Sequence, residues 1–177
     1  MSGQVVFVTA RLQAERFGPA DAEVFYDVYR DPEAMRYVGD GQPITREACD
    51  RWITVTLENY QRRNYGMFKL LRREDGELVG CCGLVHPGNQ VTPETKYCLL
   101  PEHWGQGYAT EALRGLLDYA AGTHGITDLI ATVDPAHTAS HHVLEKCGFT
   151  KGRTVIEDDG MPTLIYYRGH ESVQDGR

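Results

Sequence analysis

A short glycine-containing loop, WGQGYAT at positions 104–110, stands directly before a segment with helical periodicity. The first turn of a helix presents backbone N–H groups without intrahelical acceptors, together with the positive end of the helix dipole, and so attracts anions. Gly105 and Gly107 would let a bulky anion approach this backbone without meeting a Cβ atom. By itself the pattern is compatible with a phosphate-binding loop and also with a simple tight turn. The P-loop and dinucleotide-binding fingerprints both match poorly, because no lysine follows and the glycines come after a late strand.

Histidines and cysteines are the other residue types that could carry chemistry. His137 and His141 lie four residues apart on a predicted helix, which is a spacing found in metal sites. No HExxH pattern and no third ligand accompanies them, so exposed or capping histidines are the favoured interpretation. The five cysteines include an adjacent pair and no CxxC motif, which indicates free thiols rather than a disulfide framework or a zinc site. Free thiols in apolar runs predict a reducing, cytoplasmic location.

Hydrophobic periodicity predicts the elements that position these residues. The N-terminal half reads as a strand at 5–14, a helix at 18–31, a short helix leading into a turn-rich loop at 31–43, and a helix that begins at Thr45 as its N-cap. Two strands follow on either side of Asp75 and Gly76, a dipeptide that is a strong hairpin signal.

The C-terminal half alternates strands and helices. It reads as a strand at 94–100, a helix from 108, a strand at 128–133, a second helix and a final hairpin. Gly122 or Gly125 is predicted to end the helix from 108. Asp134 or Thr138 is predicted to cap the second helix, and Gly148 to end it. The final hairpin is predicted to turn at Asp159 and Gly160. The central strand–helix–strand crossover implies one parallel pair in an otherwise antiparallel sheet, so the fold class is mixed α/β with helices on both faces.

Composition limits the classes of function. A length of 177 residues fits one domain, which we assign to 1–170, with a polar tail at 171–177. The net charge of −7 argues against a nucleic-acid partner, which would require a basic surface. No signal-peptide pattern and no apolar run long enough for a membrane span is present. We expect a monomer or a homodimer that acts without nucleic acid or membrane.

Two longer stretches carry a family resemblance. PEHWGQGYATEALRGLLDYA, followed by HTASHHVLEKCGF, closely resembles the GNAT superfamily of acetyl-CoA-dependent N-acetyltransferases. RDPEAMRYVGD and GELVGCCGLVHP are similar to the RimJ/RimL-type branch, which acetylates N-terminal amines of ribosomal proteins and also contains antibiotic- and small-amine-modifying relatives. The resemblance runs from about position 10 to 167. It implies a mostly antiparallel seven-stranded sheet whose one parallel pair splays apart at the cofactor slot.

The resemblance implies acetyl-CoA as the cosubstrate and no metal. The loop at 104–110 would bind the pyrophosphate through backbone amides, and the preceding strand end would pair with the pantetheine arm like an added strand. His137 stands where the family usually has an asparagine that contacts this arm. The residues assigned in this way to the cofactor are Cys98, Leu99, Leu100, Trp104, Gly105, Gln106, Gly107, Tyr108, Ala109, Thr110 and His137.

The resemblance also implies catalytic roles for Glu94 and Ser140. Glu94 would be the general base, directly or through a water molecule; a solvated carboxylate at a strand edge is the alternative. The family usually has a small residue where this chain has Lys96, and pairing with Lys96 would weaken Glu94 as a base. Ser140 would donate to the sulfur of coenzyme A, unless its hydroxyl bonds back to the helix backbone. Leu144 replaces a tyrosine acid of many relatives, so that role is empty or falls to Ser140 or water.

The resemblance says less about the residues that bind the amine acceptor. The resemblance places the substrate wall at 35–45 and 158–162, whose acidic residues could attract a cation but are also ordinary turn residues. Trp52 and Tyr97 are interpreted as packing residues rather than substrate stackers.

The predicted activity is therefore acetyl transfer to a primary amine, which could be a protein N-terminus, a small amine or an aminoglycoside. The alternatives are a non-catalytic acyl-CoA-binding module of the same fold, favoured by the departures at Lys96, His137 and Leu144, and a nucleotide-phosphate binder.

Overall fold

A computed structural model describes residues 3–169 of the protein. This part of the chain folds around one mixed sheet. The strands of this part of the chain are β1 Val5–Val8, β2 Leu12–Arg16, β3 Met67–Arg72, β4 Leu78–Val85, β5 Glu94–Leu99, β6 Leu129–Val133, β7 Thr150–Ile156 and β8 Pro162–Arg168. They lie in the order β1-β2-β3-β4-β5-β6-β8-β7. Every neighbouring pair is antiparallel apart from β5 and β6, which are parallel, as the crossover predicted.

Helices cover both faces of the sheet. They are α1 Ala22–Tyr29, α2 Arg46–Arg63, α3 Tyr108–His124 and α4 Thr138–Lys146. Buried residues of α3 and α4 share one core cluster with Leu99, whereas those of α1 and of the N-terminal half of α2 share the other with Cys98. Because successive side chains of a strand point to opposite faces, β5 contributes to both layers. Thr95, Tyr97 and Leu99 therefore face α3 and α4, and Glu94, Lys96 and Cys98 face α1 and α2.

Several predicted boundaries are confirmed by local geometry. The Thr45 hydroxyl accepts a hydrogen bond from the Ala48 N–H at 3.1 Å and so caps α2. Gly76 turns the β3–β4 hairpin with a positive φ of 76°. Gly148 follows α4 with a φ of 85°, and the Phe149 N–H donates to the Leu144 carbonyl, which closes the helix end.

The sheet has eight strands in the described part of the chain rather than the seven expected, because the segment 5–14 is not one strand. Thr9 interrupts it: its N–H donates to the Leu12 carbonyl at 2.9 Å, and its hydroxyl accepts from the Leu12 N–H. This local turn folds β1 back onto β2. A threonine inside an apolar run gave no sequence signal for the turn.

Two further predictions, for the segment after Asp31 and for the cap of α4, were wrong in detail, and of the two glycines predicted to end α3 the second is confirmed. The segment after Asp31 forms successive turns rather than a short helix, since the Asp31 carboxylate accepts from the Glu33 and Ala34 N–H groups. Helix α3 continues past Gly122 and is capped by Gly125. Helix α4 has His137 at its N-cap position, while the Asp134 carboxylate accepts from the Ala136 N–H just upstream.

The predicted tail at 171–177 lies outside the described residues, so its separation from a domain at 1–170 stays a prediction. Among residues 3–169, the helices lack the combination of length and apolarity that crossing a membrane requires.

Candidate active site

Strands β5 and β6 meet at one point and then separate. Glu94 lies opposite Ile130, which is the single register pair between them, and the Ile130 N–H donates to the Pro93 carbonyl at 3.1 Å. Beyond this point β6 remains fully paired with β8, and β5 remains fully paired with β4. The edge of β5 that faces β6 is therefore open along its C-terminal half and leaves a slot between the two strands, as the family resemblance implied.

The backbone of β5 divides its hydrogen-bonding groups between β4 and this slot. The Leu100 N–H donates to the Val79 carbonyl of β4 at 2.9 Å. In an antiparallel pair such contacts alternate, so the backbone groups of Cys98 also face β4, and those of Tyr97 and Leu99 face the slot. The Leu99 carbonyl there accepts a hydrogen bond of 3.0 Å from the indole N–H of Trp104. Trp104 thus ties the glycine loop to the slot edge.

The glycine loop holds its amide groups free at the start of α3. Gly105 and Gly107 have φ values of 71° and 81°, in the left-handed region that favours glycine. The first helical hydrogen bond runs from the Glu111 N–H to the Gly107 carbonyl. Within residues 3–169, the amides of 105–110 donate to no protein acceptor. A Cβ atom added to Gly105 would meet nothing within 4 Å, so the backbone of the loop borders open space at this residue.

Arg11 braces this loop from the N-terminal hairpin. Its guanidinium donates to the Gln106 carbonyl at 2.9 Å, pairs with Glu111 at 2.8 Å, and lies 4.3 Å from the ring centroid of Tyr108. Burial disfavours the charged form of Glu111, but hydrogen bonds from Thr9 and Arg11 outweigh it and lower the pKa of this carboxyl. The carboxylate therefore stays ionised and holds Arg11 in place.

Beside the loop lies a groove of about 870 Å³, lined in part by Gly107, Thr110, Arg114, Lys146 and Arg11. The lining also includes the carboxylates Glu111 and Asp118; Glu111 is paired with Arg11, which leaves Arg114 and Lys146 as cations that suit a phosphorylated ligand. Sequence reasoning missed Arg11, because 95 residues separate it from its contact at Gln106 and no local pattern marks it.

Glu94 is buried at the point where the strands fork, with a side-chain exposure of 4%. One of its oxygens accepts from the Lys96 ammonium at 2.7 Å and from the Thr132 hydroxyl. Lys96 also donates to the Thr132 hydroxyl at 3.3 Å. The pairing with Lys96 that the sequence suggested is therefore present, and Thr132 of β6 completes a three-residue cluster across the fork.

Ser140 lies in the first turn of α4 and meets β5 through Tyr97. The Tyr97 and Ser140 hydroxyl oxygens are 2.6 Å apart. Burial raises the pKa of Tyr97 to about 12, although its bond to Ser140 acts in the opposite direction. In the described chain Ser140 makes this bond instead of bonding back to its own helix. Leu144 is buried in the core and has no group that could donate a proton; the phenol that contacts α4 near Ser140 belongs to Tyr97 of β5.

His137 at the N-cap of α4 and His141 within this helix have separate partners. His137 stacks on Tyr37 with ring centroids 4.8 Å apart, and His141 bonds the Tyr166 hydroxyl at 2.8 Å. Burial and the nearby His141 both lower the pKa of His137. Among the described residues no three histidine, cysteine or acidic side chains are grouped closely enough to hold a metal ion. All five cysteines are buried and unpaired.

A second cavity of about 360 Å³ opens on the α1 and α2 side of β5. It is bounded by the predicted wall at 35–45 and by Lys96, Tyr97 and Cys98. The final hairpin at 158–162 does not line it. Trp52 does line it and is 45% exposed, so its interpretation as a packing residue was wrong. The slot thus separates two spaces, with the glycine loop and Ser140 on one side of β5 and this cavity on the other.

Comparisons with known proteins agree with this geometry. Residues 11–150 match a family model described as an acetyltransferase (GNAT) domain. The uncharacterized protein YkkB of Bacillus subtilis is 30% identical over 171 residues, which cover 95% of this chain and 98% of YkkB.

Two solved structures share the fold. A putative GNAT-family acetyltransferase from Bordetella pertussis superposes with a TM-score of 0.80 at 23% identity and covers 94% of this chain and 99% of its own. RimL, a ribosomal α-N-protein acetyltransferase solved with coenzyme A, superposes with a TM-score of 0.77 at 16% identity, with 93% and 97% covered.

Proposed function

The chain belongs to the GNAT acetyltransferase family, and on that premise we propose that it moves the acetyl group of acetyl-CoA onto a primary amine by direct attack. The observation that carries this proposal is the alignment of three features along β5. Free amides precede α3, an open strand edge leads from them, and a separate cavity meets that edge from the other face of the sheet. This arrangement suits a direct two-substrate transfer, because the two substrates can reach the edge of β5 from separate entrances.

The residues of the slot suit coenzyme A. The amides of 105–110, with Arg11 beside them, would hold a pyrophosphate, and the slot-facing backbone of Tyr97 and Leu99 would pair with an amide-containing arm. The Leu99 carbonyl would then exchange its bond with Trp104 for one with the ligand. His137 would lie beside the same arm at the start of α4. Bound acetyl-CoA supplies an activated thioester, and the rest of the chemistry falls to the protein.

The protein must accept a proton from the attacking amine. An α-amino group with a pKa near ~8 is about one-tenth neutral at pH 7, whereas a lysine side chain near ~10.4 is almost wholly charged. Glu94 is the proposed base, acting directly or through one water molecule. Its second oxygen makes no hydrogen bond within residues 3–169 and is free for that proton. The Lys96 ammonium pairs with the other oxygen of the carboxylate at 2.7 Å and leaves this one to face the amine.

The protein must also stabilise the departing thiolate. We assign this to Ser140, which would donate its hydroxyl hydrogen to the sulfur. Tyr97 acts through Ser140: when the phenol donates to the Ser140 oxygen, the serine hydrogen is left to point into the slot.

The experiment that tests the proposed function is turnover with a panel of amines. Purified protein is mixed with acetyl-CoA and with amino-acid amides, peptides, polyamines or an aminoglycoside, and both thiol release and the acetylated product are measured. We expect stoichiometric thiol and N-acetyl product for at least one amine. Binding of acetyl-CoA without turnover on any amine would instead support the non-catalytic acyl-CoA-binding module. Thermal stabilisation by ATP or NAD, and none by acetyl-CoA, would support the nucleotide-phosphate binder.

Replacing Glu94 by glutamine is expected to lower kcat about 30-fold at pH 7 and to leave the KM for acetyl-CoA within about twofold. We place the loss near the low end for a general base, because Lys96 and Thr132 already occupy one of the two carboxylate oxygens. It should shrink as the pH rises above the pKa of the amine, since less proton removal is then needed. Steady-state kinetics between pH 6.5 and 9 measure both effects.

Glu15 offers a matched control for this substitution. It is also buried in the sheet and lies 3.8 Å from a lysine, Lys69, but it belongs to β2, away from the slot. Glu15→Gln should therefore lower thermal stability without a pH-dependent loss of kcat. An unchanged kcat in Glu94→Gln would remove Glu94 from the proposed mechanism.

A further inference from the structure

We infer that the acceptor is a primary amine with an apolar substituent and no second cationic group close to the attacking nitrogen. The inference rests on the proposed function and specifies the substrate class of the cavity on the α1 and α2 side of β5. Three observations carry it: the chemistry of the cavity lining, an aromatic side chain left exposed within it, and the charges that surround it.

The lining of the acceptor cavity is mainly apolar. It includes Phe25, Tyr29, Met35, Val38, Ile44 and Trp52. Its volume of about 360 Å³ lies at the small end of the range for ligand sites, which suits one compact side group rather than a linked series of sugar rings. A site of this composition gains affinity by removing apolar surface from water, so an apolar substituent is the favoured occupant.

Trp52 is the aromatic side chain that helix α2 contributes to the lining of this cavity. Its side chain is 45% exposed although it borders the cavity, so it offers apolar surface that a ligand can cover. Val55, one turn further along the same helix, is 44% exposed but does not line the cavity. The two residues therefore separate an effect of ligand contact from a general effect of exposed apolar surface on α2.

The charges around the cavity disfavour a second cation. Among residues 3–169, Lys96 is the one cationic side chain in the lining, and it is already paired with Glu94. Asp40 is the one carboxylate that this part of the chain contributes to the lining; it lies in an exposed loop, and one of its oxygens accepts from the Gln42 N–H at 3.0 Å. An acceptor with a further ammonium or guanidinium group would have to lose its hydration near Lys96 without gaining a buried carboxylate. Polyamines and aminoglycosides carry several such groups.

Three amino-acid amides test this inference, because each presents an α-amino group beside a neutral carboxamide. Norleucinamide adds an apolar butyl chain, argininamide adds a chain that ends in a permanent cation, and glycinamide adds none. The guanidinium does not deprotonate in proteins and so does not compete as an acceptor. We expect kcat/KM for norleucinamide to exceed that for glycinamide about tenfold and that for argininamide at least about 20-fold.

The Trp52→Ala variant should lose about tenfold in kcat/KM for norleucinamide and less than about twofold for glycinamide, while Val55→Ala changes neither. Equal rates for the three amides, or a preference for argininamide, a polyamine or an aminoglycoside, would overturn the inference and leave the proposed acetyl transfer intact. Absence of transfer to every amine in the wider panel would instead overturn the proposed function, and this inference with it.

Discussion

Replacing Gly105 by aspartate is expected to raise the KM for acetyl-CoA about 100-fold while the enzyme remains folded. Gly105 has a φ of 71°, and a Cβ atom there would project into open space beside the free amides of the loop. A carboxylate at that point, taken at ~5 Å from a phosphate held by these amides, would repel the phosphate. At an effective dielectric constant near 20, two like charges at that distance repel by about 3 kcal/mol, which corresponds to about 100-fold in affinity. Initial rates at varied acetyl-CoA concentration, with the amine saturating, measure the change.

Gly76 supplies the control for backbone strain. Its φ of 76° is nearly the same as that of Gly105, and a Cβ atom there also meets nothing within 4 Å, but it lies in the β3–β4 hairpin. Both aspartate variants should lose about 1 kcal/mol of stability from the left-handed conformation. Only Gly105→Asp should change the KM. A similar KM for both variants and the wild type would mean that the phosphate groups bind elsewhere.

The glycine loop could be predicted from sequence because neighbouring residues determine its geometry. Helix periodicity begins at Tyr108, and Gly107 directly precedes it, so the position of the free amides follows from chain order alone. The same holds for Thr45 as an N-cap and for the turn at Gly76. In each case the residues that determine the geometry lie within one turn of one another.

The remaining parts of the candidate site depend on contacts between distant segments. Arg11 reaches Gln106 across 95 positions, and Tyr97 reaches Ser140 across 43. Each pair requires the register of several strands and the placement of a helix to be known first. Trp52 was misjudged for a related reason, since helical periodicity gives the face of α2 on which it lies but not whether another element covers that face.

The N-terminal hairpin illustrates how a local error can have a distant consequence. Interpreting 5–14 as one strand puts Arg11 inside a sheet, where its guanidinium would have no defined target. The turn at Thr9 instead places Arg11 at the end of the hairpin and against the first turn of α3. The Thr9 hydroxyl itself donates to the Glu111 carboxylate at 2.6 Å. The turn that added the eighth strand therefore also supplies the cation beside the glycine loop.

Replacing Ser140 by alanine is expected to lower kcat about 100-fold and to leave the KM for acetyl-CoA within about threefold. Removal of one donor from a developing oxyanion costs about 100- to 1,000-fold, and a thiolate is a weaker acceptor, so the low end applies. Tyr97→Phe keeps the ring in the core and removes only the hydroxyl, so we expect about a tenfold loss. Because burial raises the pKa of Tyr97 to about 12, the phenol stays protonated across the range in which the enzyme would be assayed. Removal of the Tyr97 hydroxyl should therefore lower kcat by the same factor at every pH and leave the apparent pKa values of the pH profile unchanged.

Combining the two substitutions separates a role through Ser140 from a structural one. If Tyr97 acts by orienting the serine hydrogen, the double variant should be no slower than Ser140→Ala alone, whereas independent structural damage would multiply the two losses. Tyr166 supplies the matched control, because its hydroxyl also bonds a side chain of α4, that of His141 at 2.8 Å. Tyr166→Phe should lower stability and leave kcat within about twofold. If the two losses multiply in the double variant, Tyr97 has only a structural role in packing. Ser140 would then stabilise the thiolate without being oriented by Tyr97.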